Sequence, residues 1–269
     1  MIPTRFPAVL WLTFSAFCTV SLFGQSSPLP AKENFHLFLL VGQSNMAGRG
    51  VPFPEDKVPA ARVLMLNQAG EWVPAVDPLH FDKPAVIGVG IGRSFGLAVA
   101  AATPGVTIGL IPCAVGGSPI DAWKPGAFYA ETKTHPWDDA MIRARLALQS
   151  GTLKGILWHQ GESDSKPELA PAYAAKLLDL VKRLRTELNA PNVPFIAGQM
   201  GRFEGAPWDE HRTRVDQAQR ELPNKVPHVA YVTAEGLKDK GDKIHFDTAS
   251  FRELGRRYAE AYLKLGREK

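Results

Sequence analysis

Apolar residues along this chain come in two kinds of block. The first is short and continuous. Residues 35–42 (FHLFLLVG) are apolar almost throughout and end in glycine. A run of that length, apolar on both faces, is what a buried parallel strand requires. Runs of the same kind recur at 61–67 (ARVLMLN), 106–115 (VTIGLIPCAV), 155–160 (GILWHQ), 193–201 (VPFIAGQMG) and 228–233 (HVAYVT). The second kind has helical spacing and spans 91–102, 136–151, 167–189, 208–222 and 248–266. Within 167–189, Leu177, Leu180, Val181 and Leu184 fall on one helix face. Segment 136–151 begins with Pro136 and two acids and closes at Gly151, the usual asymmetry of helix ends.

Strands alternating with helices predict an α/β fold: a doubly wound, mostly parallel sheet in a three-layer α/β/α sandwich. No linker divides residues 35–269, so one domain is expected there. Sheets of this kind bind ligands beyond the carboxyl ends of their strands. The polar motifs fall where that rule wants them. GQSNM (42–46) follows the first strand, GGSPIDAW (116–123) follows 106–115, and HQGESD (159–164) closes the strand at 155–160. A fourth motif, DKIH (242–245), lies in the loop before the last helix.

Composition narrows the class of partner. With 45% hydrophobic and 22% charged residues, the chain belongs with soluble globular proteins, and disordered or fibrous classes are excluded. Its 31 Lys and Arg against 27 Asp and Glu leave a net charge of +4. These charges are scattered, so the dense basic patch of a nucleic-acid binder is missing and no nucleic-acid partner is expected. The densest run, KRLR at 182–185, reads as the solvated face of a helix.

Residues 1–25 read as an export signal. Arg5 precedes an apolar stretch over 8–23, and GQSSPLPA follows it. Residues 26–34 then form a linker. The expected location is secreted or periplasmic, with no membrane attachment once the signal is removed. Cys18 leaves with that signal, so Cys113 remains alone and reads as a small buried hydrophobe.

Two readings are open for Ser44. Its hydroxyl can cap the turn that follows the first strand. It can also act as a nucleophile if a base takes its proton and backbone N–H groups face the developing oxyanion. His245 is the candidate base, because Asp242 stands three residues before it and can fold back onto one ring nitrogen. Gly117, or its neighbour Gly116, can bring an N–H close to a bound carbonyl, and the Gln160 amide can supply a third donor. Glu162 can orient a histidine or brace its loop. His159 and Glu162 make at most half of a metal site, and no further ligands stand at suitable spacing. Trp123, Trp137, Trp158 and Trp208 lie near strand ends or loops, where an indole either packs in the core or stacks on a sugar.

Taken together, FLLVGQSNMAGRG, IPCAVGGSPIDAW, LWHQGESD and DKIHF, spread over residues 38–246, resemble the SGNH hydrolases. The likeness is to their sialate O-acetylesterase and acetylxylan esterase group, carbohydrate esterase family six. The resemblance implies a flavodoxin-like fold and a serine esterase that removes O-acetyl groups from carbohydrate without metal or cofactor. By motif it makes Ser44 the nucleophile, His245 the base and Asp242 its partner. The N–H of Ser44, a glycine N–H (Gly117 preferred) and the Gln160 amide form the oxyanion hole, and Glu162 is auxiliary. A wider lipase or thioesterase activity and an inactive carbohydrate-binding protein are the competing readings. If His245 is the base, activity falls on the acid side as an imidazole protonates, near pH ~6.5.

Overall fold

The computed structural model describes Met1 and residues 28–267. The expected export signal lies outside the described residues. Part of the expected linker forms a 3-10 turn, Lys32–Asn34, that leads into the first strand.

The strands are β1 (Phe35–Gly42), β2 (Val63–Leu66), β3 (Trp72–Pro74), β4 (Thr107–Pro112), β5 (Thr152–His159), β6 (Phe195–Gly198) and β7 (Val229–Val232). They form a seven-stranded sheet in the order β3-β2-β4-β1-β5-β6-β7. Every pairing is parallel except β2 with β3. β3 is only three residues long, ends in Pro74 and is partly exposed, so its sequence gives no strand signal. It forms because the chain turns back at residues 67–71, where the N–H of Asn67 bonds to the Glu71 carbonyl.

β1 is central, between β4 and β5, and its side chains alternate between two cores. Leu37, Leu39 and Val41 face one core, Phe38 and Leu40 the other. On the first face lie α3 (Pro136–Ala147), α4 (Tyr173–Glu187) and α5 (Glu210–Arg220). On the second face α2 (Ile91–Ala102) packs against α6 (Thr248–Arg267), with Phe95, Phe251, Leu254 and Tyr258 between them. The short α1 (Ser44–Ala47) directly follows β1. The result is the expected α/β/α sandwich.

Two local features depart from the sequence reading. α4 begins at Tyr173 rather than 167, because Pro167 and Pro171 break the first turns into 3-10 geometry. The run at 182–185 is also only partly solvated. Arg185 is buried, and its guanidinium donates to the carbonyls of Val193, Pro227 and His228. It joins α4 to the entrances of β6 and β7. Arg183 bonds to Asp179 and to the Trp123 carbonyl, leaving Lys182 as the exposed member.

Candidate active site

The loops after β1, β4 and β5 meet at one sheet edge, on either side of the point where the strand order reverses. β1 ends at Gly42, whose φ of +134° lies in the left-handed half of the map. A Cβ there would sit 2.2 Å from the His159 carbonyl oxygen, so only glycine allows β1 and β5 to run this close at their ends. The chain then turns into α1, with Gln43 as its N-cap and Ser44 as its first residue. Ser44 is therefore not the cap.

The Ser44 hydroxyl faces His245 Nε2 at 2.9 Å. On the far side of the ring, Nδ1 lies 2.7 Å from Asp242 Oδ2. The other carboxylate oxygen accepts from the backbone N–H groups of Ile244, at 2.9 Å, and His245, at 2.8 Å. Burial pushes the Asp242 carboxyl up, but those two N–H groups and the imidazole outweigh it and hold the group at about 2. Asp242 is thus an anion that only accepts. Nδ1 must then carry the ring proton of a neutral imidazole, which leaves Nε2 free to accept from the Ser44 hydroxyl.

The loop carrying His245 is fixed from several directions. The N–H of Lys240 bonds to the His245 carbonyl, and Asp239 caps Gly241 and Lys243. Phe246 is fully buried among Phe203, Phe251 and the His159 ring. Asn45, also fully buried, adds the cross-tie. Its amide donates to Glu162 Oε1 at 2.7 Å and to the Ile244 carbonyl at 3.0 Å, and its oxygen accepts from the Phe246 N–H. Glu162 therefore braces the Ser44 turn and makes no hydrogen bond to His245. Asp242 is the partner of the ring.

The oxyanion donors differ in part from expectation. The Ser44 and Gly117 N–H groups have no acceptor among the described residues, and both residues line the cleft. Gly117 has φ +84°, where glycine is favoured. The Gly116 N–H is taken by Asp82 at 2.7 Å. Gln160 does not fill the third position. It is fully buried and outside the cleft. Its Nε2 donates to the Ser118 carbonyl and to Asp164, and its Oε1 accepts from the Tyr173 hydroxyl. Both amide protons are used in holding the 116–123 segment against the end of β5. The residue missed by sequence reasoning is Gln43. Its Oε1 accepts from the N–H groups of Gly161 and Ser163, while its Nε2 has no acceptor among the described residues and borders the cleft. The available signal was a polar side chain at the strand end, directly before Ser44.

Other singled-out residues are structural. The His159 Nδ1 meets the Tyr258 hydroxyl at 3.0 Å, and burial pushes the ring down to about 4. Cys113 is buried and its thiol is pushed up to about 12. Trp123, Trp137 and Trp158 are core residues, and Trp208 lies half-buried under Arg202. None of the four lines the cleft, whose volume is about 650 Å³.

This architecture, a mostly parallel seven-stranded sheet between helical layers, is a fold shared with the solved structures of an aryl esterase and of a family two carbohydrate esterase. Residues 34–264 match the family described as carbohydrate esterase, sialic acid-specific acetylesterase, and the chain belongs to that family. A probable carbohydrate esterase of Arabidopsis thaliana is 35% identical over 257 residues, covering 88% of this chain and 92% of the relative. The crystal structure of an Arabidopsis thaliana protein superposes with a TM-score of 0.76 at 33% identity, over 87% of this chain and 99% of that one. A carbohydrate acetylesterase from Xanthomonas citri gives a TM-score of 0.66 over 87% of this chain and 56% of its own length. At 22% identity that likeness is one of fold.

Proposed function

We propose that this carbohydrate acetylesterase works through an acyl-enzyme on Ser44, with His245 as general base and Asp242 as its orienting acid. The Ser44 oxygen attacks the acetyl carbonyl while His245 Nε2 takes its proton. The sugar oxygen then leaves, receiving that proton from His245. Water, deprotonated by the same nitrogen, attacks the acetyl-serine and releases acetate. The N–H groups of Ser44 and Gly117 and the Gln43 amide face the oxyanion in each half-reaction. The substrate is an O-acetylated sugar or polysaccharide, as in carbohydrate esterase family six. Residues 1–25 carry the enzyme to a secreted or periplasmic location.

The observation that carries the mechanism is the unbroken relay from the Ser44 hydroxyl through His245 to Asp242, at 2.9 and 2.7 Å, at the wall of the cleft. Hydrolysis of p-nitrophenyl acetate by the protein and by Ser44→Ala tests it. The variant should lose about 10⁴-fold or more in kcat. Equal turnover by the two proteins would falsify the assignment.

A further inference from the structure

After β4 the chain reverses over Val115–Ser118. The Ser118 N–H bonds to the Val115 carbonyl at 3.2 Å, and Gly117, in third place, has φ +84°, which Gly116 does not share. The closing bond and the positive φ at that place define a type II turn. A type II turn differs from a type I turn by a flip of its central peptide, here the one joining the Gly116 carbonyl to the Gly117 N–H. With glycine on both sides, no side chain hinders that flip. The flip would put the Gly116 carbonyl where the Gly117 N–H now points, and a carbonyl there repels the oxyanion that the N–H would bind.

Hydrogen bonds on either side of that peptide hold it. The Gly116 N–H donates to Asp82 Oδ2 at 2.7 Å, and the Gly117 carbonyl accepts from the Ser163 hydroxyl at 2.7 Å. Asp82 is also tied to the turn that carries Ser44. Its Oδ2 accepts from Arg49 Nη2 at 2.9 Å, Arg49 Nη1 donates to the Gly48 carbonyl at 2.7 Å, and the Gly48 N–H bonds to the Ser44 carbonyl at 2.9 Å. A hydrogen-bonded path thus runs from Ser44 to the Gly116–Gly117 turn. Gly116 leaves room for it, since a Cβ there would collide with Arg49 Nη2 and lie 2.8 Å from Asp82 Oδ2.

Stability alone does not account for this ion pair. The Arg49 and Asp82 side chains are 4% and 2% exposed, and Asp82 Oδ1 has no hydrogen-bond partner among the described residues. Desolvation of two buried charges offsets most of their attraction, and the unpartnered oxygen adds to the cost. A well-packed apolar pair often serves a fold as well. It would present no acceptor to Gly116.

We propose that Asp82, held by Arg49, and Ser163 are positioning residues that lock the 116–117 peptide in the form that turns the Gly117 N–H to the oxyanion. The proposal rests on the acyl-enzyme reading above and deepens it.

Steady-state hydrolysis of p-nitrophenyl acetate tests it. Asp82→Ala should lower kcat by about 10²-fold, the scale of one oxyanion donor, with KM changed by less than about threefold. The acid limb of the pH profile should keep its midpoint, because the contact of His245 with Asp242 is untouched. Asp82→Asn keeps an oxygen that can accept from both Gly116 and Arg49. It should recover most of the lost kcat, although the unbalanced Arg49 charge makes that protein less stable. Ser163 is half-buried, and Ser163→Ala should lower kcat by about tenfold with the fold retained. Gly117→Ala disturbs the same donor, so combining it with either alanine variant should cost little more than the larger single loss. If Asp82→Ala does not fold, Ser163→Ala and its combination with Gly117→Ala decide. Losses that multiply, a shifted midpoint, or full kcat in either alanine variant overturn the proposal. Full activity of Ser44→Ala overturns instead the reading on which it rests.

Discussion

Asp242 holds His245 with both carboxylate oxygens, one on the ring and one on the backbone N–H groups of its own loop. In Asp242→Asn the amide oxygen can keep the backbone bonds, but the amide nitrogen then meets Nδ1 as a donor and favours the wrong tautomer. Steady-state kinetics should show kcat lowered by about 10²- to 10⁴-fold with the fold retained; a loss below threefold would remove Asp242 from the relay. The native carboxyl lies at about 2, below its ordinary 3.8. Its contribution to stability is therefore complete above about pH 4 and disappears only as pH falls through about 2. Asn45 acts at a distance from the reaction. Asn45→Ala leaves the Glu162 carboxylate and the Ile244 carbonyl without their donor, and should cost about 1–3 kcal/mol in urea unfolding. Because the same amide aligns the His245 loop with Ser44, kcat should fall further than KM rises. Glu162→Gln keeps an acceptor for Asn45 and should be much milder. A drop in stability with unchanged kcat would make Asn45 a purely structural residue. The i, i+3 spacing of Asp242 and His245 made their pairing legible, since one short loop brings them together. Gln160 and Gln43 were not separable by sequence. Gln160 is turned inward by Asp164 and by Tyr173 of α4, and no local pattern marks those contacts.

Gly42 sets how closely β1 can approach β5 at the edge where the site forms. Gly42→Ala must move the His159 carbonyl or the end of β1, and its φ is unfavourable for any side chain. The substitution should destabilise by about 3 kcal/mol or more, and should displace Ser44 from His245 as well. Unfolding midpoints and residual esterase activity check both effects; an active, fully stable Gly42→Ala protein would show that the close approach does not matter. The same elements show what the sequence could announce. Buried strands such as β1 and β4 declared themselves by continuous apolar runs, and α6 by its periodicity. β3 (Trp72-Val73-Pro74) is only three residues long, ends in proline and lies at the sheet edge, so only its turn and its pairing with β2 make it a strand. Arg185 looked like one member of a solvated run. Its burial follows from three carbonyls at the entrances of β6 and β7, whose positions depend on the assembled sheet.

Over the whole molecule, buried titrating groups give stability a definite pH slope. His80 and His159 are buried, and desolvation holds both at about 4 instead of 6.5. Between those values the unfolded chain binds protons that the folded chain refuses, so each histidine makes the fold less stable as pH falls. Asp77 opposes them. Its burial raises the carboxyl from 3.8 to about 7, more than Arg93 can offset. The folded chain keeps that proton where the unfolded one has lost it, and acid therefore favours the fold at this position. His36 is shifted down in the same way and Asp164 up, so the two classes oppose each other, and the two fully buried histidines give a stability that declines as pH falls from about 6.5 toward 4. Urea unfolding at pH 6.5 and 5.0 should show that decline. Substituting His80 by Gln should flatten that decline, because one of the two fully buried histidines is then gone, even if the variant is less stable at every pH. A slope unchanged by that substitution would place the proton uptake elsewhere. Ser44 and Asp242 are not among the groups that set this slope. An esterase pH profile that falls while far-ultraviolet circular dichroism on the same samples still reports a folded chain would therefore assign the loss to the site and not to unfolding.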